Sequence, residues 1–421
     1  SNVQNAEPIL EVFDTSTFYL TIPGGRSAIS AGTVSIVRNH TVLTSRDGGQ
    51  TWNSKVAYED ARTYPGNMIG VNLGVGKSVM DATTRNDIVL FHGNSLIHEE
   101  GNIFLTSKSI NGGTSWSTST ESARPSALKY PAFRAKDANT FFIGAYKTYP
   151  SMSLHNGAIV FMKSVDGGRT WSEKVIESLQ PSVLKWDGTS FGGSYSPSLP
   201  SYPEVSMSVA GDTIVMVYRK VRAFIAPNNY NGIYNMEIPT GEVRLAKSTD
   251  GGNTWTLHTV DGQIPSRITD SQRVSCPSNV NPSRCILFPQ IYTRSSHPNP
   301  TVTAINGQTF NVRYYYSPGA ANLEKKIAVT TNGGGAWTKE AAYFPEDVVL
   351  GNGVLYGVKT VYPTIYSNQK HIVKSSNNGR TWSDLSSVEY NVSMSISATS
   401  SNAVYAGIKY KNGGVQIYRV Q

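Results

Sequence analysis

The sequence predicts an all-β chain of short strands grouped into repeated blades and closed into a propeller. Three observations predict it. The pattern Ser-x-Asp-Gly-Gly-x-Thr-Trp recurs along the chain. Each copy follows a strand of alternating apolar residues. The composition is poor in charge (16%) and rich in Gly, Ser, Thr, Asn and Tyr, which suits many tight turns better than long surface helices. A closed set of blades can use all 421 residues as one domain, 1–421.

The full copies run Ser45 to Trp52, Ser164 to Trp171 and Ser248 to Trp255. Weaker ones end at Trp116 and Trp382, with Asn111 and Asn377 in the Asp position. A degenerate one ends at Trp337, with Asn332 for Asp and Ala336 for Thr. Six of the seven tryptophans thus hold the same place. In such a turn Asp47, Asn111, Asp166, Asp250, Asn332 and Asn377 accept hydrogen bonds from their own backbone, and Gly supplies positive φ. The Trp folds back as an apolar plug between sheets. Each copy should join the third and fourth strands of a blade, so these side chains are read as structural.

The inner strands come in pairs ahead of the copies. Ser78–Ala82 precedes Asp87–Phe91, Tyr130–Arg134 precedes Thr140–Tyr146, and Tyr202–Ser208 precedes Thr213–Arg219. Thr301–Ile305 precedes Phe310–Tyr316, and Val354–Val358 precedes Tyr362–Tyr366. Three more strands follow the last copy: Tyr390–Ile396, Val404–Lys409 and Val415–Arg419. They leave an open edge, which the N-terminal strand Ile9–Phe13 is expected to close. The count gives seven blades, or six if the segment before Trp52 is not a full blade.

The repeat resembles the Asp-box, or bacterial neuraminidase repeat, and the resemblance to the sialidase superfamily covers nearly the whole chain. It implies an Asp-box β-propeller with chemistry on inner strands, away from the boxes. Glu204 begins an inner strand and Arg219 ends its neighbour, which matches the family's glutamate and one carboxylate-binding arginine. Tyr390 is similar in placement to the nucleophilic tyrosine at the start of the last blade, and Asp81 to the acid/base carboxylate. A neutral tyrosine suits an anomeric carbon bearing a carboxylate, because an anionic nucleophile would be repelled. The family's Arg-Ile-Pro motif is absent; Arg26 or Arg134 would stand for its arginine. No arginine follows the second strand of the Trp337 blade, where Arg313 and Arg294 are the nearest.

The chain also resembles seven-bladed ulvan-type polysaccharide lyases. That likeness implies a cation that neutralises a uronate and a Tyr or His that moves the proton. Tyr130 and Tyr202 fit the tyrosine role, Arg219, Arg222 and Arg134 the cation, and His92, His98 and His297 the histidine. A third reading is a non-catalytic glycan-binding or phage-type receptor-binding propeller, which would use Tyr-rich loops such as Pro227–Tyr234 and Ser190–Tyr195.

The net charge of +8 favours acidic partners. Without a dense Lys/Arg run, an acidic oligo- or polysaccharide is expected rather than nucleic acid. No apolar run reaches the ~18 residues of a membrane span. A secreted, soluble form is therefore expected. Cys276 and Cys285 flank a Pro/Ser/Asn-rich loop that a disulfide could close, with two free thiols as the alternative. The sequence calls for no cofactor and leaves a structural calcium open; oligomeric state is not legible.

Overall fold

The computed structural model describes residues 9–30, 33–65, 78–94, 103–119, 128–148, 157–179, 182–185, 204–226, 240–262, 299–316, 324–364, 367–390, 393–399, 403–409 and 415–420. These residues form seven sheets, one per blade, and contain no helix. The inner strands are Ile9–Val12, Ser78–Ala82, Leu128–Ala135, Ser206–Ala210, Thr301–Ala304, Asp347–Gly351 and Ser393–Ala398. Within each blade the following strands add outward in sequence order. Ser182–Lys185 adds a short parallel strand beside Ala223–Ala226 of blade four. The segment before Trp52 is a full four-stranded blade, which settles the count at seven.

Two expectations are corrected. Ile9–Val12 does not join the last sheet; it pairs with Phe18–Thr21 as the first strand of blade one. Asp14 is the cause, because its carboxylate accepts from Ser16 N and Ser16 Oγ and turns the chain straight back. The ring still closes at this strand, by other means. Leu10 N and Val12 N donate to Ser395 Oγ and Ser397 Oγ of blade seven, at 3.2 and 2.9 Å. Leu10, Val12 and Phe18 pack on Ala403 and Tyr405. The last blade keeps three described strands. A cavity of about 630 Å³ opens on that flank, lined by Phe18, Trp52, Tyr405, Val415 and Ile417.

The second correction concerns blade six. Its inner strand is Asp347–Gly351, and Val354–Thr364 is one continuous second strand. Asn352 and Gly353 make the connecting turn, both at positive φ (43° and 79°). An Asn-Gly pair between strands is a strong hairpin signal.

All six repeat turns lie between the third and fourth strands of their blades. In blade four, Ser248 Oγ donates to Asp250 Oδ1 (2.7 Å) and accepts from Gly252 N (2.9 Å). Asp250 Oδ1 accepts from Thr254 N (2.9 Å), and Oδ2 from Thr254 Oγ1 (2.6 Å). These bonds hold the carboxyl well below the usual range. Asp47 and Asp166 repeat the pattern. Asn111 and Asn377 keep the backbone bond and reverse the other, donating from Nδ2 to Ser115 Oγ and Thr381 Oγ1. Gly252 sits at φ +92°, and a Cβ there would meet the Phe161 ring at 2.3 Å. The neighbouring Trp255 packs on that ring, centroids 4.8 Å apart. Trp52, Trp116, Trp171 and Trp337 likewise pack in clusters shared with the preceding blade.

A second inter-blade joint recurs at the residue six beyond the repeat Trp. The Tyr58 ring packs against His92 of blade two, centroids 4.7 Å apart. Glu177 and Asp261 accept from Tyr218 and Tyr314 of the next blade at 2.6 and 2.7 Å. Lys359 of blade six lies over Tyr343 at 5.3 Å. The chemistry differs from blade to blade while the geometry is kept.

Candidate functional site: the central channel

Corresponding positions on the seven inner strands, one or two residues from the end nearest the repeat turns, hold Glu11, Asp81, Arg134, Ser208, Thr303, Val349 and Ser397. Three of these cap an exposed amide of the next blade's inner strand. Asp81 Oδ2 accepts from Ala135 N (2.7 Å), Ser208 Oγ from Ala304 N (3.0 Å), and Ser397 Oγ from Val12 N (2.9 Å). Backbone polar groups at the ring's inner edge need such partners. Glu11 occupies the same position, and its side chain makes no hydrogen bond among the described residues.

The electrostatics of this sector follow from burial. Glu11 is pushed up to about 8, first by desolvation and then by the neighbouring Asp81 charge, with Arg134 opposing. Burial also raises Asp81, against the pull of Arg134 and of the Ala135 amide. Glu11 therefore keeps its proton near neutral pH. Sequence reasoning passed over it as one residue of an apolar strand. The signal was there: a lone carboxylate within Ile9-Leu-Glu-Val12.

Two arginines stand on second strands across the ring. Arg313 is buried in blade five and donates to Thr301 Oγ1, Thr303 Oγ1 and Asn311 Oδ1 at 3.1, 3.0 and 2.9 Å. Desolvation lowers it to about 10, with Asp347 of blade six opposing. Arg219 of blade four is 9% exposed and reaches into blade five, where one terminal nitrogen donates to the Tyr315 carbonyl at 2.9 Å. Its Nε is buried without a partner, and desolvation lowers it to about 10. No ion pair involves Arg219 among the described residues.

The sequence-predicted residues divide as follows. Asp81 and Arg134 meet in the channel ring, joined by Glu11. Glu204 is half-buried just ahead of its strand. Continuing the Ser206–Val217 register sets it opposite Arg219, although the guanidinium turns away toward Tyr315. Tyr390 ends the fourth strand of blade six, paired with Gln369, and does not begin the last blade, which starts at Ser393. Arg26 lies in the long hairpin of blade one. Arg222 sits at the register shift between Val221 and Ala223, and Tyr130 beside a shift in blade three. His92 belongs to the joint between blades one and two, with Nε2 3.0 Å from Ser107 Oγ. Tyr202, His98, His297, Arg294 and both cysteines lie outside the described residues. Among the described residues no three His, Cys, Asp or Glu side chains gather to hold a metal, and no helix is long and apolar enough to cross a membrane.

The sequence matches no family model and no curated protein. Solved structures do match. An ulvan lyase from a new family of polysaccharide lyase is 12% identical, with a TM-score of 0.50, over 100% of this chain and 96% of that one. An ulvan lyase of that family bound to a repeat of glucuronate and sulfated rhamnose is 13% identical, with the same TM-score and the same coverage. A further polysaccharide lyase is 12% identical over 98% of this chain and 90% of that one, with a TM-score of 0.47. At such identities the likeness bears on architecture: the chain shares, from end to end, the propeller fold of the two ulvan lyase structures.

Proposed function

We propose that the chain is a carbohydrate-active enzyme whose substrate is an acidic glycan, and that it cleaves a uronate-bearing polymer by β-elimination. Arg219 carries the reading. It is a cation almost wholly out of water, with Nε unpartnered and no carboxylate in ion-pair range among the described residues. Leaving a charged group in that state costs roughly 1–3 kcal/mol or more, which an anion at the guanidinium offsets. One ulvan lyase with this fold is bound to an oligosaccharide that contains glucuronate.

In this reading Arg219, with Arg222, holds and neutralises the uronate carboxylate, which acidifies the carbon beside it. Tyr130 or Tyr202 takes the proton from that carbon. The electron pair forms the ring double bond, and the C–O bond at the next carbon breaks with its electrons on oxygen. That oxygen takes a proton from tyrosine or His297. A polymer of this kind would be met outside the cell, so a secreted location goes with the proposal.

Sialidase-like hydrolysis is the second reading, favoured by the register that sets Glu204 opposite Arg219. There Glu204 would activate Tyr202, and Arg26 would assist Arg219. Incubation with uronate polymers and sialosides separates the readings. Elimination produces the ultraviolet absorbance of an unsaturated uronate, whereas hydrolysis releases reducing sugar without it. Neither signal from any substrate refutes both.

A further inference from the structure

The Tyr315 carbonyl that receives Arg219 belongs to a residue whose ring opens a second cluster, on the rim of blades five and six. Lys325, across the strand pair from Tyr315, lies 4.5 Å from the Tyr343 ring centroid, 5.1 Å from Phe344 and 5.8 Å from Tyr315. Lys359 of blade six approaches the same Tyr343 ring at 5.3 Å. Two ammonium groups thus share one tyrosine, which is 39% exposed. The nearby acids are engaged elsewhere: Glu346 with Lys370 (3.3 Å), and Asp384 with His371 (3.2 Å) and only loosely with Lys359 (3.8 Å). Lys325 has no carboxylate in ion-pair range among the described residues. Its Nζ donates to the Phe344 carbonyl at 3.3 Å.

Holding like charges around one ring is unfavourable, and the ring's negative faces offset only part of it. An anion at the exposed edge of Tyr343 that reaches both ammonium groups would offset the repulsion and gain charge-assisted hydrogen bonds. The Tyr315–Lys325 pair lies toward the ends of its strands opposite the repeat turns, and Arg219 reaches it there. Arg219 and Lys325 therefore meet the same residue, Tyr315, and Lys325 and Lys359 the next ring, Tyr343.

We infer that Lys325, Tyr343 and Lys359 form a distal subsite for a carboxylate or sulfate ester on a sugar several units from the bond that is cleaved. The inference rests on the acidic-glycan reading. It adds that the enzyme binds a polymer along its rim instead of a single sugar in the channel.

The test measures binding of ulvan and of an ulvan disaccharide to wild type, to the Lys325→Met/Lys359→Met double variant and to Lys325→Arg/Lys359→Arg, with circular dichroism to check folding. The methionine variant should bind ulvan about tenfold more weakly or worse, with a shallower salt dependence, and the disaccharide unchanged. The arginine variant should keep polymer affinity. Equal ulvan affinity in wild type and methionine variant overturns the subsite and leaves the enzymatic reading standing. A wild type that binds no acidic polymer overturns the acidic-glycan reading itself.

Discussion

Replacing Glu11 with Gln should make stability less dependent on pH, in one direction only. In the native protein the Glu11 carboxyl titrates near 8, against 4.5 for a free side chain. Between those values the unfolded chain has lost the proton while the native chain keeps it. Native stability therefore falls as pH rises through this window, by up to about 1.4 kcal/mol per pH unit and about 5 kcal/mol in all. Asp81 titrates beside it and water reaches its half-exposed side, so roughly 2–4 kcal/mol is expected. Gln has no proton to lose, so the variant should match wild type near pH 4.5 and exceed it by that margin near pH 8. Arg134→Met should do the opposite at high pH, because it removes the charge that favours ionised Glu11. Urea midpoints at half-unit pH steps provide the measurement. Parallel profiles for wild type and Glu11→Gln would refute the account of the channel ring.

Three other outcomes follow from the joints between and within blades. Asp250→Ala should lower the unfolding temperature while Asp250→Asn is tolerated, because Asn111, Asn332 and Asn377 already fill that position; equal losses in both would contradict the turn chemistry. Tyr314→Phe removes the hydroxyl that donates to the buried Asp261, and should cost about 1.5–3 kcal/mol by denaturant unfolding. Burial lowers His40 to about 4, so as pH falls from 6.5 the unfolded chain takes up its proton first and stability drops by roughly 3 kcal/mol before levelling off. His40→Phe should flatten that acid limb, and an unchanged limb would place the acid sensitivity elsewhere.

The blades were legible because the repeat turn is local chemistry: Asp or Asn, Gly and Trp at fixed spacing specify a corner wherever they occur. The third-to-fourth strand position and the Trp plugs follow from it, and the three strands after the last copy bring the count to seven blades. Where a different turn acts, the reading slipped. The Asn352-Gly353 turn makes Asp347–Gly351 the inner strand and joins what was read as two strands into Val354–Thr364, and Asp14 folded Ile9–Val12 into the first blade instead of the last. The channel ring was half legible. Asp81 and Arg134 could be picked out by charge, but their meeting with Glu11 depends on strand register across three blades. Tyr390 misled for a related reason, since a shift of three residues moved it from one blade to its neighbour.

The central claim is that this propeller cleaves an acidic glycan with Arg219 holding the carboxylate. It is tested most directly by following unsaturated-uronate absorbance when ulvan is mixed with wild type and with Arg219→Met, matched for folding. The account predicts a steady rise with wild type and a rate at least a hundredfold lower with the variant, about 3 kcal/mol of transition-state stabilisation. Equal rates in the two proteins, or no turnover by wild type of any uronate polymer, would contradict it.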